Sequence, residues 1–491
     1  MPNSSTDQLH NEMKIAIDLQ KKGQDVEATV LLNTIITQFS GHSRPYFHLG
    51  MSLFNMERHS EAIDQISRAI AISPGEAEYH TFLGTILAAI GKKNVAKIRW
   101  QEAVRLDPKH AEALFLLGDA LIDEGKPEEA IGFLQKALTA KPEFIAALNN
   151  KGLCHKALKQ LKQAKSCFEK AIKLDKTNPD AHINLAMTLM IMGSYSEGWQ
   201  EYEWRFKRLP SPLVDQPPDG VKLWSGESLH NKKFLVIAEQ GYGDSLQFVR
   251  FISILKNKGA EITLLTQEPL APLLKEMPEI DHTTTEKSNL GHIDYYCPLI
   301  SIANILKTSL DSIPNNIPYI TANQLMRKRW QLKLAPAPIR VGLVWEGKPL
   351  FKNDPLRRRS VKLEDFAPLA QIDGLLLFSL QKGQPAEQIE SQKQMKIIDL
   401  DPDIDNFADT AAIISNLDIV ITIDTATAHL TGALGKTAWI LLPFSPDWRW
   451  GLDQDTTPWY PNSVLFRQSQ YNQWQEPIKQ MVELLKKWQK K

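Results

Sequence analysis

A short stretch at positions 239–248, EQGYGDSLQF, holds residues that could carry out chemistry. An apolar run at 234–238 precedes it, so Gly241, Gly243 and Asp244 stand where a buried strand is predicted to give way to a helix. Glycine adopts backbone angles that other residues avoid and lets a bound molecule approach the main chain. Asp244 could cap the start of the helix or accept a proton from a bound hydroxyl as a general base. The spacing by itself leaves both roles open.

A second group of polar residues lies in VITIDTATAHLTGALGKTAWILLP at 420–443. The pattern predicts a strand, a polar turn, a helix and a further strand, with Thr425, Thr427 and His429 near the start of the helix. Unpaired backbone amides at a helix start bind phosphate, and these side chains could add hydrogen bonds. Asp424 would repel a phosphate, so we assign it to fixing the turn. The alternative is a capped, buried helix whose histidine belongs to the core.

Basic side chains follow two further predicted strands. A loop after the strand at 341–345 is rich in cations, and one lysine follows the strand at 375–380; the residues are Lys348, Lys352, Arg357, Arg358, Arg359 and Lys382. Cations at these positions could neutralise the charge of a leaving diphosphate. A solvated surface loop is the alternative explanation for the charge run.

The sequence predicts neither a metal ion nor a bound cofactor. The acidic run DPDID at 401–405 resembles a DxD metal motif, but it precedes a helical segment and fits an acidic first turn, which the helix dipole favours. Cys154, Cys167 and Cys297 lack the spacing of a metal site or a disulfide framework. Gly241 and Gly243 do not complete a GxGxxG pattern, which argues against a dinucleotide cofactor.

Strands and helices alternate from position 233 onward, which predicts parallel sheets. The predicted strands are 234–238, 261–266, 294–299, 341–345, 375–380, 395–400, 419–423 and 439–442. A break near 321–338 separates two halves, so we predict Rossmann-like domains at 233–325 and 335–488, preceded by a proline-rich linker at 209–232. Ligands of such sheets bind beyond the carboxyl ends of the strands, and the polar groups described above follow strand ends.

The first two hundred residues repeat with a period of 34. Glycine recurs at this period, alanine follows twelve residues after each glycine, and a large residue follows four residues later; the columns are Gly50, Gly84, Gly118 and Gly152, then Ala62, Ala96, Ala130 and Ala164, then Ile66, Trp100, Leu134 and Phe168. A small residue lets two helices approach closely, and the large residue fills the gap beside it. The period and residue classes resemble the tetratricopeptide repeat and predict an α-solenoid of five full repeats and one partial repeat over 9–208.

A solenoid of this kind has a concave face that could bind a protein or peptide. Asn150 and Asn184 occupy the column in which some tetratricopeptide grooves carry asparagines, and we predict peptide contacts there. His48, Phe82 and Leu116 fill this column in the other repeats, so the asparagine series is incomplete. A spacer or a dimerisation arm is the alternative role of the repeats.

Composition excludes several classes of protein. Lys+Arg and Asp+Glu each number 57 in 491 residues, so the formal net charge is zero, whereas a general nucleic-acid binder carries a basic excess. The first residues lack the apolar segment of a signal peptide. No apolar run approaches the length of a transmembrane helix. We therefore expect a soluble, cytoplasmic protein that binds no nucleic acid.

Several motifs together resemble bacterial proteins in which tetratricopeptide repeats are fused to a family 9, heptosyltransferase-like glycosyltransferase. They are EGWQEYEWRF at 197–206, LWSGESL at 223–229, EQGYGDSLQFVRF at 239–251, VGLVWEGKP at 341–349, SLQKG at 379–383 and the stretches from 407 to 461. The resemblance implies a GT-B fold of two Rossmann-like domains, with the acceptor on the first and a nucleotide-sugar on the second. It also implies inverting transfer without a metal ion.

The resemblance assigns roles to individual residues. Asp244 matches the proposed general base of heptosyltransferases, and Asp424, Thr425 and His429 match residues near the nucleotide diphosphate. Ala426 stands where those enzymes usually have glycine, and Lys348 interrupts their Gly-Asn-Pro motif, which argues against ADP-heptose as the donor. The expected nucleotide-sugar contacts are Gly241, Gly243, Arg359, Lys382, Asp424, Thr425, Thr427 and His429.

The combined expectation is a nucleotide-sugar-dependent glycosyltransferase that acts on a hydroxyl of a protein recruited by the repeats. The nucleotide-sugar is a co-substrate, so no cofactor is expected. Two alternatives stay open. One is a catalytically inactive repeat scaffold for protein–protein interaction, and the other is a transferase whose acceptor is a lipid or polysaccharide.

Overall fold

The computed structural model describes residues 3–208, 210, 212–239, 241–347 and 359–488. The chain forms two compact units, Met1–Leu158 and Lys159–Lys491, which we call the first and second unit. No helix in the described part of the chain is both long and apolar enough to cross a membrane.

The described part of the first unit consists of nine α-helices. Their bounds are α1 Asn3–Lys21, α2 Asp25–Gln38, α3 Ser43–Asn55, α4 His59–Ile72, α5 Ala77–Ala89, α6 Lys93–Leu106, α7 Ala111–Asp123, α8 Pro127–Ala140 and α9 Ile145–Ala157. Successive helices pack as hairpins, with α3 against α4, α5 against α6 and α7 against α8. Each of these hairpins corresponds to one 34-residue repeat, which confirms the predicted helical solenoid.

The glycine column explains how the two helices of each hairpin approach. A Cβ atom on Gly84 would lie 2.4 Å from Nε1 of Trp100 and 3.0 Å from the carbonyl oxygen of Ala96. The same relation joins Gly50 to Ile66, where the distance would be 2.5 Å. Because these distances are far below van der Waals contact, only glycine fits. The large residue of the third column fills this space, as the sequence predicts.

The second unit begins with three further helices, α10 Leu161–Leu174, α11 Pro179–Ile191 and α12 Tyr195–Tyr202, and a 3-10 helix at Glu203–Lys207. α12 belongs to the repeat pattern, yet its Trp199 packs against Phe248 with ring centroids 5.8 Å apart. The indole nitrogen of Trp199 also donates to the carbonyl oxygen of Thr308 at 3.0 Å. The last repeat helix is therefore part of the core of the second unit.

A five-stranded parallel sheet follows these helices. Its strands are β1 Lys222–Leu223, β2 Lys233–Ile237, β3 Glu261–Leu265, β4 His282–Thr284 and β5 Tyr295–Pro298, in the spatial order β1-β5-β2-β3-β4. The intervening helices are α13 Tyr242–Phe248, α14 Ile252–Asn257, α15 Ala271–Leu274 and α16 Ser301–Ile305. β1 lies inside the segment predicted as a linker, because Lys222 and Leu223 pair with β5.

A six-stranded parallel sheet forms the rest of the second unit. Its strands are β6 Ile339–Leu343, β7 Leu375–Ser379, β8 Ile397–Asp399, β9 Ile419–Ile423, β10 Ala438–Leu442 and β11 Ser463–Arg467, in the order β11-β10-β9-β6-β7-β8. The helices are α17 Gln324–Lys333, α18 Gln388–Ser391, α19 Phe407–Ser415, α20 Ala426–Ala433 and α21 Gln475–Trp488, with a 3-10 helix at Trp448–Trp450. The predicted parallel α/β halves are confirmed, while the GT-B arrangement stays a prediction.

The strand order reverses direction once in each sheet. In the first sheet this happens between β2 and β5, and in the second between β6 and β9. Crevices beyond the carboxyl ends of strands at such reversals are the usual ligand sites of open α/β sheets. Asp244 follows β2, and Thr425 follows β9. Both motifs therefore lie at the positions where this class of sheet binds its ligands.

The unit boundary differs from the domain boundary expected at 208. The compact units meet after Leu158, within the repeats. The reason is the attachment of α12 to the α/β core through Trp199. One buried cluster also joins the two α/β halves, since it includes Phe248 beside the first sheet and Leu430 and Trp459 beside the second.

Candidate functional site

Asp244 lies in the first turn of α13, directly beyond the carboxyl end of β2. The N-cap of this helix is Gly241, so the interpretation of Asp244 as the capping residue is wrong. A Cβ on Gly241 would lie 2.5 Å from Oδ2 of Asp244, because the carboxylate folds back over the glycine. The side chain of Asp244 keeps 31% of its surface exposed. Its carboxylate is thus fixed by the chain and remains accessible.

Gly243 is the point at which the two predicted motifs meet. A Cβ on Gly243 would lie 2.8 Å from Cδ2 of His429 and 3.7 Å from Cα of Ala426. Gly243 and Gly241 do not have positive φ angles. These glycines are therefore required for close approach and not for an unusual backbone angle. The loop after β2 and the start of α20 lie in direct contact, although the sequence separates them by about 180 residues.

The start of α20 presents the predicted hydroxyls. Thr425 is the N-cap residue, and its Oγ1 lies 3.0 Å from Oγ1 of Thr422. Thr425 makes no side-chain capping hydrogen bond to the helix. Thr427 and Asp424 are buried, with 9% and 4% of their surface exposed. A single turn thus combines hydroxyls with the positive end of a helix.

His429 is buried and neutral at physiological pH. Its Nδ1 lies 2.9 Å from the hydroxyl of Tyr460, and its ring stacks on Trp450 with centroids 5.4 Å apart. Burial, reinforced by the positive charge of Arg449, lowers the pKa of His429 to about 3. When Tyr460 donates to Nδ1, the imidazole proton lies on Nε2, which faces Gly243. His429 could then donate one hydrogen bond from Nε2.

Arg449 is a site residue that the sequence reasoning did not identify. Its Nη2 donates to Oδ1 of Asp244 at 2.5 Å, and its Nη1 donates to Oδ1 of Asp447 at 2.8 Å. Its Nε donates to Oε1 of Gln247 at 2.5 Å. Burial raises the pKa of the Asp244 carboxyl, and the guanidinium of Arg449 acts in the opposite direction. The stretch DWRW at 447–450 contains Asp447 but gave no indication of Asp244 and Gln247, which lie about 200 residues away.

A buried ion pair fixes the loop that carries Asp244 to the end of the repeats. Nε and Nη2 of Arg205 donate to the two carboxylate oxygens of Glu239, each at 2.9 Å. Arg205 is 5% exposed and Glu239 is 4% exposed. Nη1 of Arg205 also donates to Glu203 at 2.9 Å. Glu239 directly follows the first sheet's central strand, so the repeat end and the loop form one connected structure.

Two predicted phosphate contacts lie at the carboxyl edge of the second sheet. A Cβ on Gly347 would lie 2.8 Å from Nε of Arg359, which puts this arginine beside the end of β6. Lys382 follows β7 and forms an ion pair with Asp401, and its Nζ donates to the carbonyl oxygens of Asp401 and Ile404 at 2.8 Å. The phosphate contact of Lys382 stays a prediction, because its ammonium already has these partners. Lys348, Lys352, Arg357 and Arg358 lie outside the described residues.

The two asparagines predicted for a peptide groove have different surroundings. Nδ2 of Asn150 donates to Oδ1 of Asp119 at 2.8 Å on the surface of the first unit. Asn184 lies in α11 of the second unit and is only 4% exposed, which leaves its side chain little surface for a peptide. Both contacts stay predictions.

The described residues contain no cluster of three or more metal-ligating side chains. The acidic run at 401–405 forms a 3-10 helix at Asp401–Asp403, and Asn406 caps α19 through a hydrogen bond from the amide of Ala408. Asp403 pairs with Lys333 at 3.1 Å. The run thus precedes the helix, but the interpretation as its acidic first turn is wrong, because the acidic residue of that turn is Asp409.

Comparisons with known proteins concern mainly the repeats. Models of the tetratricopeptide repeat match residues 43–76, 83–143, 145–178 and 167–200. The chain is 26% identical to Protein FlbA of Caulobacter vibrioides over 474 residues, which covers 89% of this chain and 72% of that protein. It is 26% identical to Type IV pilus assembly protein PilF of Pseudomonas aeruginosa over 160 residues, which covers 32% of this chain and 64% of that protein.

A solved structure of a repeat protein matches about a third of the chain. It is YrrB, described as a TPR protein with an unusual peptide-binding site; it is 18% identical, the TM-score is 0.31, and the match covers 36% of this chain and 92% of that chain. The FlbA match covers 89% of this chain, so it extends well beyond the repeats into the α/β part. The family models identify residues 43–76, 83–143 and 145–200 as tetratricopeptide repeats, a class of repeat that serves in protein–protein interaction.

Proposed function

We propose that this protein holds a protein or peptide on its tetratricopeptide repeats and transfers a sugar from a nucleotide-sugar to a hydroxyl of that partner. The two parts of the proposal have different support. The binding role follows from the repeat class and its concave surfaces. The transferase role follows from the geometry of the second unit and from the motif resemblance.

One observation carries the transferase part. Gly243 contacts His429, so Asp244 and the start of α20 lie together at the carboxyl ends of the two parallel sheets. A carboxylate beside a phosphate-binding helix start is the arrangement that sugar transfer from a nucleoside diphosphate needs. It combines a base for the acceptor with dipoles for the leaving group.

The chemistry uses residues of this chain alone. Asp244 takes the proton from the acceptor hydroxyl while its oxygen forms a bond to the anomeric carbon. The bond from that carbon to the diphosphate oxygen breaks, and the nucleoside diphosphate leaves with the electron pair. The amides at the start of α20, Thr425 and the Nε2 proton of His429 stabilise its negative charge. Attack opposite to the leaving group inverts the anomeric centre.

Substitution of the base tests this mechanism. Asp244→Asn should lower turnover by about 10²- to 10⁴-fold, because the amide cannot accept the proton. Asp403→Asn is the matched control, since Asp403 is a surface carboxylate of the same unit with a lysine partner. Transfer should be measured with UDP-, GDP-, CMP- and ADP-sugars against the proteins that co-purify with the full chain. Full turnover by Asp244→Asn would refute the role of Asp244.

A second candidate function is a repeat scaffold without turnover, and it is the reading that the repeat matches support most directly. The ion pair between Asp244 and Arg449 favours it, because a paired carboxylate is unavailable as a base. Thermal unfolding with ADP, GDP, UDP and CMP separates the two. A ligand at about 100 times its dissociation constant stabilises a protein by about 2.7 kcal/mol. Stabilisation by one nucleotide that His429→Ala abolishes supports the transferase; no stabilisation by any supports the scaffold.

The acceptor class requires its own assay. Transfer to a purified glycolipid or polysaccharide, with none to any protein, would replace the protein acceptor by the other alternative.

Transfer to a protein should persist in the presence of EDTA, because the proposed reaction uses no metal ion. Loss of transfer with EDTA, restored by a divalent cation, would contradict that part of the proposal.

A further inference from the structure

Arg449 presents a difficulty for the proposed reaction, because it neutralises the carboxylate that should act as the base. All three nitrogens of its guanidinium have partners: Asp244, Asp447 and Gln247, at distances of 2.5, 2.8 and 2.5 Å. The arginine side chain is only 10% exposed, whereas the side chain of Asp244 is 31% exposed. The guanidinium thus lies behind the carboxylate, on the protein side.

The two carboxylates that contact Arg449 differ in burial and in their distance from it along the chain. Asp447 is two residues from Arg449 in the same loop and is only 5% exposed, so this pair is local and enclosed. Asp244 belongs to the other half of the second unit and is partly open to solvent. A charged ligand that enters from solvent therefore competes first with Asp244 for the guanidinium. Asp447 keeps the arginine in the site when that contact breaks.

The backbone of Arg449 is held firmly, which confines any change to the side chain. Trp448 packs against Trp199 and Tyr195 with ring centroids 5.4 Å and 5.9 Å apart. The hydroxyl of Thr457 donates to the carbonyl oxygen of Arg449 at 2.7 Å. The guanidinium itself lies 4.3 Å from the ring centroid of Trp448, a flat surface on which it could shift.

Arg449 also adjoins the proposed phosphate end of the site. The next residue, Trp450, stacks on His429 at the start of α20. His429 in turn contacts Gly243, next to Asp244. The guanidinium therefore contacts the base directly, and the next residue of its loop contacts His429 in α20. When the contact with Asp244 breaks, Nη2 can donate a charge-assisted hydrogen bond to a phosphate oxygen, which makes a diphosphate a strong competitor for the guanidinium.

We propose that Arg449 pairs with Asp244 before a donor binds and transfers its contact to the diphosphate when a nucleoside diphosphate-sugar binds. This inference rests on the proposed function and adds a coupling between donor binding and the base. Without a donor, the carboxylate is neutralised by its partner. With a donor, the diphosphate takes the guanidinium and leaves Asp244 free to accept a proton. Arg449 is thus a positioning residue for the base and a ligand for the leaving group.

The competition predicts opposite effects of two substitutions on diphosphate affinity. Asp244→Asn removes the competing negative charge, so ADP, GDP or UDP should bind at least about fivefold more tightly than to the native protein. Arg449→Gln should weaken the same nucleotide by about fivefold or more. Arg449→Lys should restore part of the loss. The double variant should bind as Arg449→Gln alone, because Asp244 competes only through the arginine.

Isothermal titration of the full chain with each nucleoside diphosphate and with the matching free nucleoside measures these effects. The free nucleoside should bind equally to all variants, which separates the proposal from a general structural disturbance. Asp403→Asn should leave every affinity unchanged. Diphosphate affinity that is the same in Asp244→Asn as in the native protein would overturn the coupling and leave the proposed function intact. No diphosphate binding to any variant would overturn both.

Discussion

The first unit and the α/β part of the second unit are stabilised by contacts of very different sequence separation. In the first unit, Trp100 fills the space beside Gly84 and donates to the carbonyl oxygen of Thr81, 19 residues away. In the second, the contact between Asp244 and Arg449 joins residues 205 positions apart. The repeats are therefore determined by local pattern, whereas the candidate site exists only when two distant parts of the chain have folded against each other.

The largest expected effect tests whether α12, the last repeat helix, depends on contacts between distant parts of the chain, as the α/β part does. Trp199→Ala should lower the free energy of unfolding of the second unit by about 3–5 kcal/mol, because it empties a fully buried tryptophan site. The ring contacts Phe248 and Trp448, which flank Asp244 and Arg449 in sequence. Denaturant unfolding followed by hydrogen exchange with mass spectrometry assigns the loss to particular elements.

Trp100→Ala is the matched control, since Trp100 is a buried tryptophan of the first unit with an indole hydrogen bond of its own. Its loss of protection should stay within the first unit, among neighbouring repeats. Trp199→Ala should reach the strands β2 and β3, far from it in sequence. Protection lost only in α10–α12 would show that α12 is an ordinary repeat helix.

The same contrast between local and distant contacts determines how much of the structure the sequence could predict. The glycine and alanine columns predicted the repeats because each column residue meets a partner in the next helix. Buried strands such as β9, Ile419–Ile423, were predicted because continuous apolar runs identify them. β1, β4 and β11 were missed. β1 and β4 contain two and three residues and none of these is fully buried, and β11, Ser463–Arg467, has only three consecutive apolar residues between a serine and an arginine.

The candidate site was predictable only in part. Gly243 and His429 were identified from glycine and helix-start patterns, and the structure brings them into contact. Arg449 gave no signal, because nothing near it in sequence indicates that its partner is Asp244. Capping was one of the two roles that the spacing left open for Asp244, because aspartate is common at N-caps, but Gly241 occupies that position here. Local rules thus identified the residues and not their partners.

A pH titration sharpens the comparison with the half-buried His48 of the first unit and the buried His429 of the second. Burial lowers the pKa of His429 to about 3, and burial together with Arg44 lowers the pKa of His48 to about 4. In the unfolded chain both protonate near pH 6.5. The stability that each contributes is therefore complete above pH 6.5 and falls as the pH decreases, by about 2 kcal/mol at pH 5.

The free energies of unfolding of the two units should depend differently on pH below about pH 4. The loss due to His48 should level off near pH 4, whereas the loss due to His429 continues toward pH 3. Unfolding free energies of the native protein, His48→Gln and His429→Gln, measured from pH 7 to pH 3, test this. Each variant should lose less stability than the native protein on acidification. Parallel curves for native protein and His429→Gln would mean that His429 is protonated in the fold.

A smaller effect tests the close approach of the repeat helices. Gly84→Ala should cost about 1–3 kcal/mol, since the new Cβ would lie 2.4 Å from Trp100 and 3.0 Å from a backbone oxygen. Gly132→Ala is the control within the same unit. It lies in α8 with no atom within 4 Å of the added Cβ, so it should stabilise the unit by about 0.5–1 kcal/mol. Equal effects of the two substitutions would remove the packing explanation of the glycine column.

The smallest expected effect on stability concerns one turn position of the repeat, which occurs in both units. Glu57 and Lys159 occupy equivalent turns and both have left-handed backbones, with φ of 60° and 57°. Glu57 is exposed, so Glu57→Gly should relieve the unfavourable backbone angle and stabilise the first unit by up to about 1 kcal/mol.

Lys159 has a second role, because its Nζ lies 4.2 Å from the ring centroid of Phe444 in the α/β part. A contact of this type contributes about 0.5–1 kcal/mol, so Lys159→Gly should gain at the backbone and lose at the ring, with little net change. Lys159→Gly in a Phe444→Leu background should recover the full gain seen for Glu57→Gly. If Lys159→Gly alone stabilises the second unit as much as Glu57→Gly stabilises the first, the cation–π contact contributes nothing. The turn would then follow the local rule even where the repeats join the α/β core.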